Sequence, residues 1–296
     1  MKNIVVTGAT GFVGSNLVRF LLNKDFKIYV IIRADSDLSN LTDIEGHIEI
    51  FRYDNQINHL IDFFTLVKPI TVFHLASNFI AEHESHQIDS LIHSNVTFGL
   101  HLLEAMKLSG VKQLINTGTS WQHYKNEDYN PVCLYAATKQ AFESLIDYYV
   151  QAEGFKVITL KLFDTYGETD TRPKLINLLN KFADENTELN MSAGEQFLNL
   201  VHITDVCEAF YIGSQFIDNE EYQGHHSFAV SSDRNYKLKE VIELFEAVSE
   251  KKIKVNWGGK TYRKREVMFV WDKGVRLPHW KPTLTLEEGL SRYKSK

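Results

Sequence analysis

The fold is decided at Thr7-Gly8-Ala9-Thr10-Gly11-Phe12-Val13-Gly14. A short β-branched run, residues 4–6, precedes this stretch, and apolar residues at helical spacing follow it. Glycine permits a tight turn and lets backbone N–H groups approach a pyrophosphate, while the helix amino terminus carries a positive partial charge. A strand, a glycine-rich turn and a helix in this order predict a phosphate-binding turn for a dinucleotide, and a turn that binds no ligand is the alternative. The residues expected at the cofactor are Gly8, Thr10, Gly11, Phe12, Val13 and Gly14.

Strands and helices alternate through the first half of the chain. Further strands are predicted at 27–33, 47–53, 70–74, 111–116 and 157–162, and helices at 12–22, 57–67, 88–108 and 134–151. A parallel crossover needs a connection as long as a helix, so this alternation predicts a parallel sheet covered on both faces. The expected fold class is α/β, with a Rossmann-type doubly wound parallel sheet and a smaller C-terminal substrate-binding lobe.

After residue 163 the alternation breaks into shorter pieces, with helices predicted at 173–185, 204–216 and 238–249 and a basic stretch at 260–265. No linker rich in Pro, Gly or Ser separates the two parts. We therefore predict an NADP-binding Rossmann domain at 1–163 and a mainly substrate-binding lobe at 164–296, of which about 200–216 returns to the first domain. The lobe is expected at the carboxyl edge of the sheet, where open α/β sheets bind ligands.

Composition and charge narrow the class of protein. The 296 residues are 44% hydrophobic and 24% charged, which is typical of a globular protein, and the net charge of −6 opposes nonspecific binding to nucleic acid or anionic lipid. Two cysteines, Cys133 and Cys207, make neither a disulfide framework nor a four-ligand zinc site, and no metal site is predicted. Neither a signal peptide nor an apolar stretch of about 20 residues is found. We expect a cytoplasmic protein without a nucleic-acid or membrane partner.

The end of the second predicted strand indicates which dinucleotide is bound. Arg33 stands where an NAD site places an acidic residue for the ribose hydroxyls, and an arginine favours a 2′-phosphate, hence NADP(H). Ser36 offers an additional hydroxyl donor. Asp35 and Asp37 are close enough in sequence to pair with the guanidinium, and Arg33 as a solvated strand end is the alternative. Asp54, after the third strand, is expected at the adenine edge or, alternatively, in a turn.

Tyr135 and Lys139 begin a strongly helical segment, and their spacing of four puts them on one helix face. A free phenol ionises near pH 10, and a nearby ammonium is expected to lower that pKa toward the range of general acid/base catalysis. Lys139 can also donate a hydrogen bond to the nicotinamide ribose. This pair occurs often by chance, but the fifth strand delivers Thr119 to the same sheet edge. We predict Thr119, Tyr135 and Lys139 as the catalytic residues.

The phosphate turn, His74-Leu75-Ala76, Thr119 and the Tyr135/Lys139 pair occur in this order along the chain. They resemble the extended short-chain dehydrogenase/reductase family, also called the NAD-dependent epimerase/dehydratase family, which contains nucleotide-sugar epimerases, dehydratases and 4-ketoreductases. The resemblance implies that Leu75 and Ala76 bind the cofactor and that Thr119 and Tyr135 contact the sugar C4 oxygen. It also implies that a hydride passes between sugar C4 and nicotinamide C4.

The residues that follow Thr119 separate the reactions of this family. Its dehydratases carry an Asp-Glu pair there, which acts on C6 and C5 of the sugar, whereas this chain has Ser120 and Trp121. Neither side chain is a carboxylic acid or base, which argues against sugar dehydration. Trp121 either packs the pocket wall or forms a platform against the sugar. Epimerases of the family keep a tightly held NAD, whereas net reduction draws on NADPH, so Arg33 favours a reductase.

A closer resemblance rests on Ser120-Trp121-Gln122-His123-Tyr124, on Phe163-Asp164-Thr165-Tyr166-Gly167 and on Asp170-Thr171-Arg172. These stretches are similar to bacterial reductases of nucleotide-linked 4-keto-6-deoxysugars, the group of CDP-abequose and CDP-paratose synthases. The resemblance implies an NADPH-dependent reductase that makes a 4-hydroxy deoxysugar for a bacterial surface polysaccharide such as the lipopolysaccharide O-antigen. An NAD-dependent nucleotide-sugar 4-epimerase and a noncatalytic NADP-binding sensor or scaffold are the alternatives. The resemblance also implies a homodimer through the helices at 88–108 and 134–151.

Basic residues after residue 163 are candidates for binding the nucleotide sugar, together with Ser120 and Trp121. Arg172 and Lys174 begin the smaller lobe, and Arg265 lies in the basic stretch. A diphosphate favours such donors, arginine above all, and the resemblance places Arg265 on the nucleotide diphosphate. Solvated surface charge is the alternative for each of them. Asp164 stands where most relatives have Asn, and its role in substrate binding stays open.

Overall fold

The computed structural model describes residues 1–295. Strands and helices alternate up to residue 162. They are β1 (Lys2–Thr7), α1 (Phe12–Leu22), β2 (Phe26–Arg33), β3 (Glu49–Tyr53), α2 (Ile57–Val67), β4 (Thr71–His74), α3 (Ile88–Ile92), α4 (Phe98–Leu108), β5 (Gln113–Thr119), α5 (Leu134–Glu153) and β6 (Lys156–Leu162). Short 3₁₀ turns lie at Ser39–Leu41, Glu45–His47, Ser85–Gln87, Ser120–Gln122, Tyr124–Asn126 and Arg292–Ser295.

Shorter elements follow residue 162. They are β7 (Asp164–Tyr166), α6 (Leu175–Glu185), β8 (Glu188–Met191), β9 (Phe197–Leu198), β10 (Leu200–His202), α7 (Ile203–Ile217), β11 (His225–Val230), β12 (Tyr236–Lys237), α8 (Leu238–Ser249), β13 (Lys254–Trp257) and α9 (Leu286–Ser291). Three two-stranded ribbons, β7 with β10, β9 with β12 and β8 with β13, belong to this part of the chain.

The central sheet has seven strands in the order β3-β2-β1-β4-β5-β6-β11, and every neighbouring pair is parallel. The predicted α/β class with a Rossmann-type parallel sheet is thereby confirmed. In the register of the sheet, Thr7 pairs with His74, and His74 pairs with Asn116. The carboxyl ends of β1, β4 and β5 therefore meet at one edge, as the prediction of the site requires.

Side chains that alternate along β1 divide the interior into two cores. Ile4 and Val6 lie in one core with Leu17 of α1 and Phe210 of α7, whereas Val5 lies in the other. The second core also holds Phe64 of α2, Leu102 of α4 and Phe142 of α5. A third core belongs to the elements after residue 162, and its buried members include Ile176, Leu179, Leu189, Leu200, Val241 and Phe245. The sheet is thus covered on both faces, as a doubly wound parallel sheet must be.

β11 and the helix predicted at 88–108 differ from the predictions, and the six short strands β7, β8, β9, β10, β12 and β13 have no predicted counterpart either. β11 has no counterpart among the predicted strands; its first half is polar, His225-His226-Ser227, and only its last three residues are buried. The helix predicted at 88–108 is interrupted by a π turn at His93–Thr97, which separates α3 from α4. Asn95 in this turn is buried and donates to Asn78 O (3.0 Å) and Thr138 Oγ1 (2.9 Å). The π turn thereby links the segment after β4 to α5.

One helix and one strand from the chain after residue 162 pack against the first core or the central sheet. α7 packs with α1 on one face of the sheet, and β11 extends the sheet beyond β6. The domain division at residue 163 stays a prediction. Among residues 1–295, no helix combines the length and the apolar character needed to cross a membrane.

Candidate active site

Two adjoining cavities lie at the carboxyl edge of the sheet. The larger one, about 370 Å³, is lined by the phosphate turn, the end of β5, the start of α5 and the segments around β7 and α6. The smaller one, about 230 Å³, is lined by the ends of β2 and β3 and by the π turn. Both are lined by Gly8, Gly11, Leu75 and Ser77. Together they form one cleft, long enough for two linked halves of a dinucleotide.

The phosphate turn leaves room only for glycine at its centre. Gly8 has φ +70°, and a Cβ there would lie 2.5 Å from the backbone nitrogen of Ala76. The Leu75 and Ala76 N–H groups donate to the backbone oxygen and Oγ1 of Thr7, at 3.3 and 3.1 Å. No side chain caps α1 at Gly11, so the first N–H groups of the helix remain for a ligand. This turn fits a pyrophosphate.

Four other predicted cofactor residues belong to the same turn. Thr10 lines the smaller cavity, Phe12 and Val13 line the larger one, and Gly14 packs against the backbone of Gly8. The Thr10 backbone oxygen accepts a hydrogen bond from Asn40 Nδ2 at 2.9 Å, which fixes the turn to the segment after β2. The turn is therefore held from two sides before any ligand binds.

Arg33 lies at the rim of the smaller cavity, where β2 ends. Its guanidinium is 3.3 Å from Asp35, and its side chain is 74% exposed. Ser36 lines the same cavity, and its Oγ accepts a hydrogen bond from the Arg33 N–H at 3.0 Å, so the Ser36 hydroxyl proton is free to donate. Asp37 bonds Ser39 instead, and hydrogen bonds from the Ser39 N–H and hydroxyl lower the pKa of its carboxyl. One cation and one hydroxyl donor thus border this cavity.

Asp54, predicted at the adenine edge, does not line the cavity. Its carboxylate accepts from the Gln56 N–H (3.1 Å) and pairs with His59 Nδ1 (2.9 Å), and these hydrogen bonds, the Gln56 bond first, lower its pKa. The next residue, Asn55, has φ +67° and lines the cavity instead. Asn55 Oδ1 is 3.1 Å from His93 Nε2 in the π turn. This geometry favours the alternative in which Asp54 belongs to a turn and does not contact adenine.

Thr119, Tyr135 and Lys139 all line the larger cavity, so the structure brings the three predicted catalytic residues together. Thr119 ends β5, and its Oγ1 accepts a hydrogen bond from the Trp121 N–H at 3.3 Å, which leaves its own proton free to donate. Tyr135 lies in the first turn of α5, and Lys139 lies one turn later. An acid, a hydroxyl donor and a cation thus surround one space.

The electrostatics of Tyr135 differ from the expectation. Burial raises the pKa of its phenol to about 12, and a hydrogen bond with the Ser77 hydroxyl opposes that rise, whereas Lys139 is not among the groups that act on it. Burial also lowers the pKa of Lys139 to about 8, and the charge of Glu143 opposes that fall. At neutral pH the phenol therefore keeps its proton and the ammonium keeps its charge. This is the state required of a proton donor beside a cation.

Lys139 provides the test of whether the cavity fits a dinucleotide. The residue is only 2% exposed, and its ammonium has no hydrogen-bond acceptor within residues 1–295. A buried ammonium without acceptors is unfavourable, and the ribose hydroxyls of a nicotinamide nucleotide would supply them. Its neighbour His74 is neutral, because burial lowers the pKa of that imidazole to about 3. Lys139 is therefore a cation of this cavity that has no partner within the described residues.

Aromatic side chains line the part of the larger cavity around Tyr135. The ring of Phe79 is 4.9 Å from that of Tyr135 and 5.6 Å from that of Trp121. The Lys174 ammonium lies 3.9 Å from the centre of the Phe79 ring, and the Arg263 guanidinium lies 5.1 Å from that of Trp121. The sequence reasoning missed Phe79 and Arg263. Both lie in segments without secondary structure, where no periodicity marks the direction of a side chain.

Asp164 and Arg172 line the larger cavity from the other side. Arg172 binds Asp170 through two hydrogen bonds of 2.8 Å, and its guanidinium lies 4.5 Å from the centre of the Phe12 ring. The carboxylate of Asp164 has no hydrogen bond within the described part of the chain. Burial raises the pKa of Asp164, while the charge of Lys174 acts most strongly against that rise. A carboxylate and two cations thus face the space beside the phosphate turn.

Arg265, predicted at the diphosphate, lies elsewhere. Its guanidinium is 4.3 Å from the centre of the Tyr124 ring and donates to Asn130 Oδ1, and it lines neither of the two cavities. Arg263 lines a third cavity of about 70 Å³ that Ser120 and Asp164 also line. Glu266 binds the Arg263 guanidinium at 2.8 Å. Arg263 is therefore the arginine of the basic stretch that lines a cavity together with Ser120, Trp121 and Asp164.

Comparison of the sequence with known proteins identifies relatives of this chain. The model of the NAD dependent epimerase/dehydratase family matches residues 4–229. CDP-abequose synthase of Yersinia pseudotuberculosis is 28% identical over 269 residues, which cover 90% of both chains. UDP-glucuronate 4-epimerase of Thermodesulfobacterium geofontis is 26% identical over 315 residues, which cover 99% of this chain and 95% of the epimerase.

Solved structures share the fold. UDP-glucose 4-epimerase of Thermotoga maritima with UDP-glucose has a TM-score of 0.85 at 21% identity, covering 99% of this chain and 98% of its own. UDP-glucose 4-epimerase of Thermus thermophilus in complex with NAD has a TM-score of 0.80 at 21% identity, covering 98% and 96%. At this level of identity the likeness concerns the fold alone.

Proposed function

Because the chain belongs to the NAD dependent epimerase/dehydratase family, we propose that it is an NADPH-dependent reductase of a nucleotide-diphosphate-linked 4-keto-6-deoxyhexose. Membership confirms the resemblance drawn from the motifs, and it makes the protein a nucleotide-sugar-modifying enzyme that uses a nicotinamide dinucleotide. The observation that carries the finer proposal is Arg33 with Ser36 at the cavity beside Thr119, Tyr135 and Lys139. Relatives named CDP-abequose synthase support the choice of a ketosugar.

Different residues of the cleft would bind different parts of the cofactor. The N–H groups at the start of α1 would hold the pyrophosphate, Arg33 and Ser36 would hold the 2′-phosphate, and Lys139 would hold the nicotinamide ribose. When bound, the reduced nicotinamide supplies the hydride that a carbonyl carbon accepts. The Lys139 ammonium, which has no hydrogen bond within the described residues, is a group that such a ligand would satisfy.

Proton transfer is the task of Tyr135. As the C4 carbonyl carbon gains a hydride, its oxygen takes a proton from the Tyr135 phenol, and a C4 hydroxyl results. Thr119 donates a hydrogen bond to the same oxygen through its free hydroxyl proton. The Ser77 hydroxyl, whose hydrogen bond lowers the pKa of the phenol against the effect of burial, stabilises the phenolate that remains. Ser120 and Trp121 offer no carboxyl group for removing the C5 proton, so the sequence of steps ends at reduction.

The substrate side suits a nucleotide-linked deoxysugar. Phe79 and Trp121 present apolar faces of the kind that pack against a sugar ring. Arg172, Lys174 and Arg263 supply donors for the diphosphate, and the Asp164 carboxylate supplies an acceptor for a hydroxyl. The sugar ring, the diphosphate and a hydroxyl group of the proposed substrate would thus each contact a side chain of suitable chemistry.

The test is turnover with NADPH and a set of 4-keto-6-deoxyhexoses linked to CDP, dTDP, GDP or UDP. We expect oxidation of NADPH with at least one of them, faster than oxidation of NADH at equal concentration, and a 4-hydroxy sugar as the product by NMR. Absence of turnover with all four nucleotide classes would refute the reductase.

A nucleotide-sugar 4-epimerase is the second candidate, because the relatives include UDP-glucuronate 4-epimerase. In that case the purified protein would carry bound NAD and interconvert two nucleotide hexoses without added cofactor. A noncatalytic NADP-binding sensor or scaffold is the third candidate, and the convergence of Thr119, Tyr135 and Lys139 on one cavity argues against it.

We also propose that the enzyme is a cytoplasmic homodimer whose product enters a surface polysaccharide such as the O-antigen. Ile88 and Ile92 on α3 and Tyr148 on α5 are exposed, which supports association through these helices. Light scattering on the purified protein should give twice the mass of one chain. A monomer at micromolar concentration would refute the dimer.

A further inference from the structure

A buried ion pair joins α5 to β6, on the same helix as Tyr135 and Lys139. Glu143 of α5 and Lys161 of β6 meet at 3.1 Å, and both side chains are 5% exposed. A Cβ on Gly118 would come within 3.1 Å of Glu143 Oε1, so the carboxylate packs against the backbone of β5. Burying two charges is costly and is weak evidence of stabilisation by itself. The carboxylate also has a contact other than Lys161, through its second oxygen.

One carboxylate oxygen connects Glu143 to Thr119. Glu143 Oε1 accepts a hydrogen bond from Gln122 Nε2 at 2.9 Å, and Gln122 is fully buried. Gln122 Oε1 in turn accepts from the Thr119 N–H at 3.0 Å. This closes the 3₁₀ turn at Ser120–Gln122, in which the Trp121 N–H donates to Thr119 Oγ1. Thr119 is thereby held at its backbone N–H by Gln122 and at its hydroxyl oxygen by the Trp121 N–H.

The same carboxylate acts on Lys139, one helical turn earlier on α5. Its negative charge raises the pKa of the Lys139 ammonium, against the burial that lowers it. The other titratable groups around Lys139 are His74 of β4, which is neutral, and Tyr135 of α5, which is protonated at neutral pH. Glu143 is thus the anion that supports the charge of Lys139.

We propose that Glu143 is a positioning residue for the reaction: through Gln122 it fixes the turn that carries Thr119, and it places a negative charge four residues after Lys139 on the same face of α5. Lys161 of β6 pairs with the other oxygen of the same carboxylate, Oε2, at 3.1 Å. The inference rests on the function proposed above. It assigns a role to three buried polar residues, Glu143, Lys161 and Gln122, that contact neither substrate nor cofactor in that reaction.

The test compares Glu143→Gln, the double variant Glu143→Gln/Lys161→Met and Glu104→Gln. The control residue, Glu104, forms an ion pair with Lys107 on α4, away from the cavity. Because E143Q alone leaves Lys161 buried without a counter-charge, the double variant decides the matter if the single variant does not fold. Each protein is checked for its melting temperature and circular dichroism before any functional measurement.

In the folded double variant we expect kcat to fall about 10- to 100-fold, with the KM for the ketosugar within about threefold of wild type. NADPH binding, followed by nicotinamide fluorescence from about pH 6 to about pH 9, should weaken at a lower pH than in wild type. E104Q should behave as wild type in both assays. Wild-type kcat and a wild-type binding profile in the double variant would show that Glu143 only neutralises Lys161, and would overturn the proposal.

Gln122→Met tests the connection to Thr119 alone. We expect kcat to fall about tenfold while NADPH binding is unchanged, because Gln122 acts on Thr119 and not on Lys139. A folded Q122M protein with wild-type kcat would refute this connection. If the wild-type protein reduces no ketosugar, the proposed function fails, but the NADPH-binding profile of the Glu143 variants still tests the inference.

Discussion

Arg33 offers the sharpest test of cofactor choice. Its guanidinium borders the smaller cavity at the end of β2, and the change we consider is Arg33→Ala. A hydrogen bond between charged groups contributes about 1.5–3 kcal/mol. Since the side chain is 74% exposed and Asp35 lies 3.3 Å away, the value should be near the lower limit. About 1.4 kcal/mol corresponds to a tenfold change in a dissociation constant.

The assay is a fluorescence titration of wild type and R33A with NADPH and with NADH. We expect the dissociation constant for NADPH to rise about tenfold and that for NADH to change by less than about twofold. Asp35→Ala removes the competing carboxylate and should strengthen NADPH binding by up to about fivefold, the range of a surface ion pair.

The matched control is Arg276→Ala. Arg276 also pairs with an exposed aspartate, Asp233 at 2.6 Å, but it lines neither cavity of the cleft. Its loss should leave both dissociation constants unchanged. If R33A weakens NADPH and NADH equally, or affects neither, then Arg33 does not recognise a 2′-phosphate and the argument for a reductase loses its main support.

Three further predictions concern the reacting groups. Tyr135→Phe should lower kcat about 10²- to 10⁴-fold while NADPH binding is retained, and a near-normal rate would remove Tyr135 as the acid. Gly8→Ala should abolish dinucleotide binding measured by calorimetry, because its Cβ would lie 2.5 Å from the Ala76 nitrogen at φ +70°; wild-type affinity would contradict this. The Lys139 ammonium loses its proton as pH rises through about 8, so kcat/KM should fall on the alkaline side. A flat profile from about pH 7 to about pH 9 would exclude this role of Lys139.

The order of strands and helices in the first half of the chain could be predicted because each element carries its own periodicity. β11 could not, because it lies at the sheet edge and its first residues, His225-His226-Ser227, do not show the apolar run of a buried strand. The π turn at His93–Thr97 was equally invisible, since Asn95 is buried there only through partners far along the chain, Asn78 and Thr138.

The site residues were likewise predictable only in part from the sequence. Thr119, Tyr135 and Lys139 follow from strand ends and helix spacing, and the structure brings them to one cavity. Arg263 and Arg265 are two residues apart in a segment without regular structure, so no period tells which of them lines a cavity with Asp164. The high pKa of Tyr135 arises from burial, which depends on the packing of the whole cavity and not on the Lys139 spacing.

The seventh strand bears on how this protein can be divided. β11 pairs with β6 along its whole length, from His225 with Val157 to Val230 with Leu162, so the outer flank of β6 is covered by chain from far downstream. A truncated protein that stopped near residue 163 would expose that edge of an apolar strand as a row of unpaired backbone N–H and C=O groups. Such an edge favours strand pairing between copies of the chain and therefore aggregation. Fragments meant to isolate the nucleotide half should therefore retain residues up to Val230 to stay monodisperse.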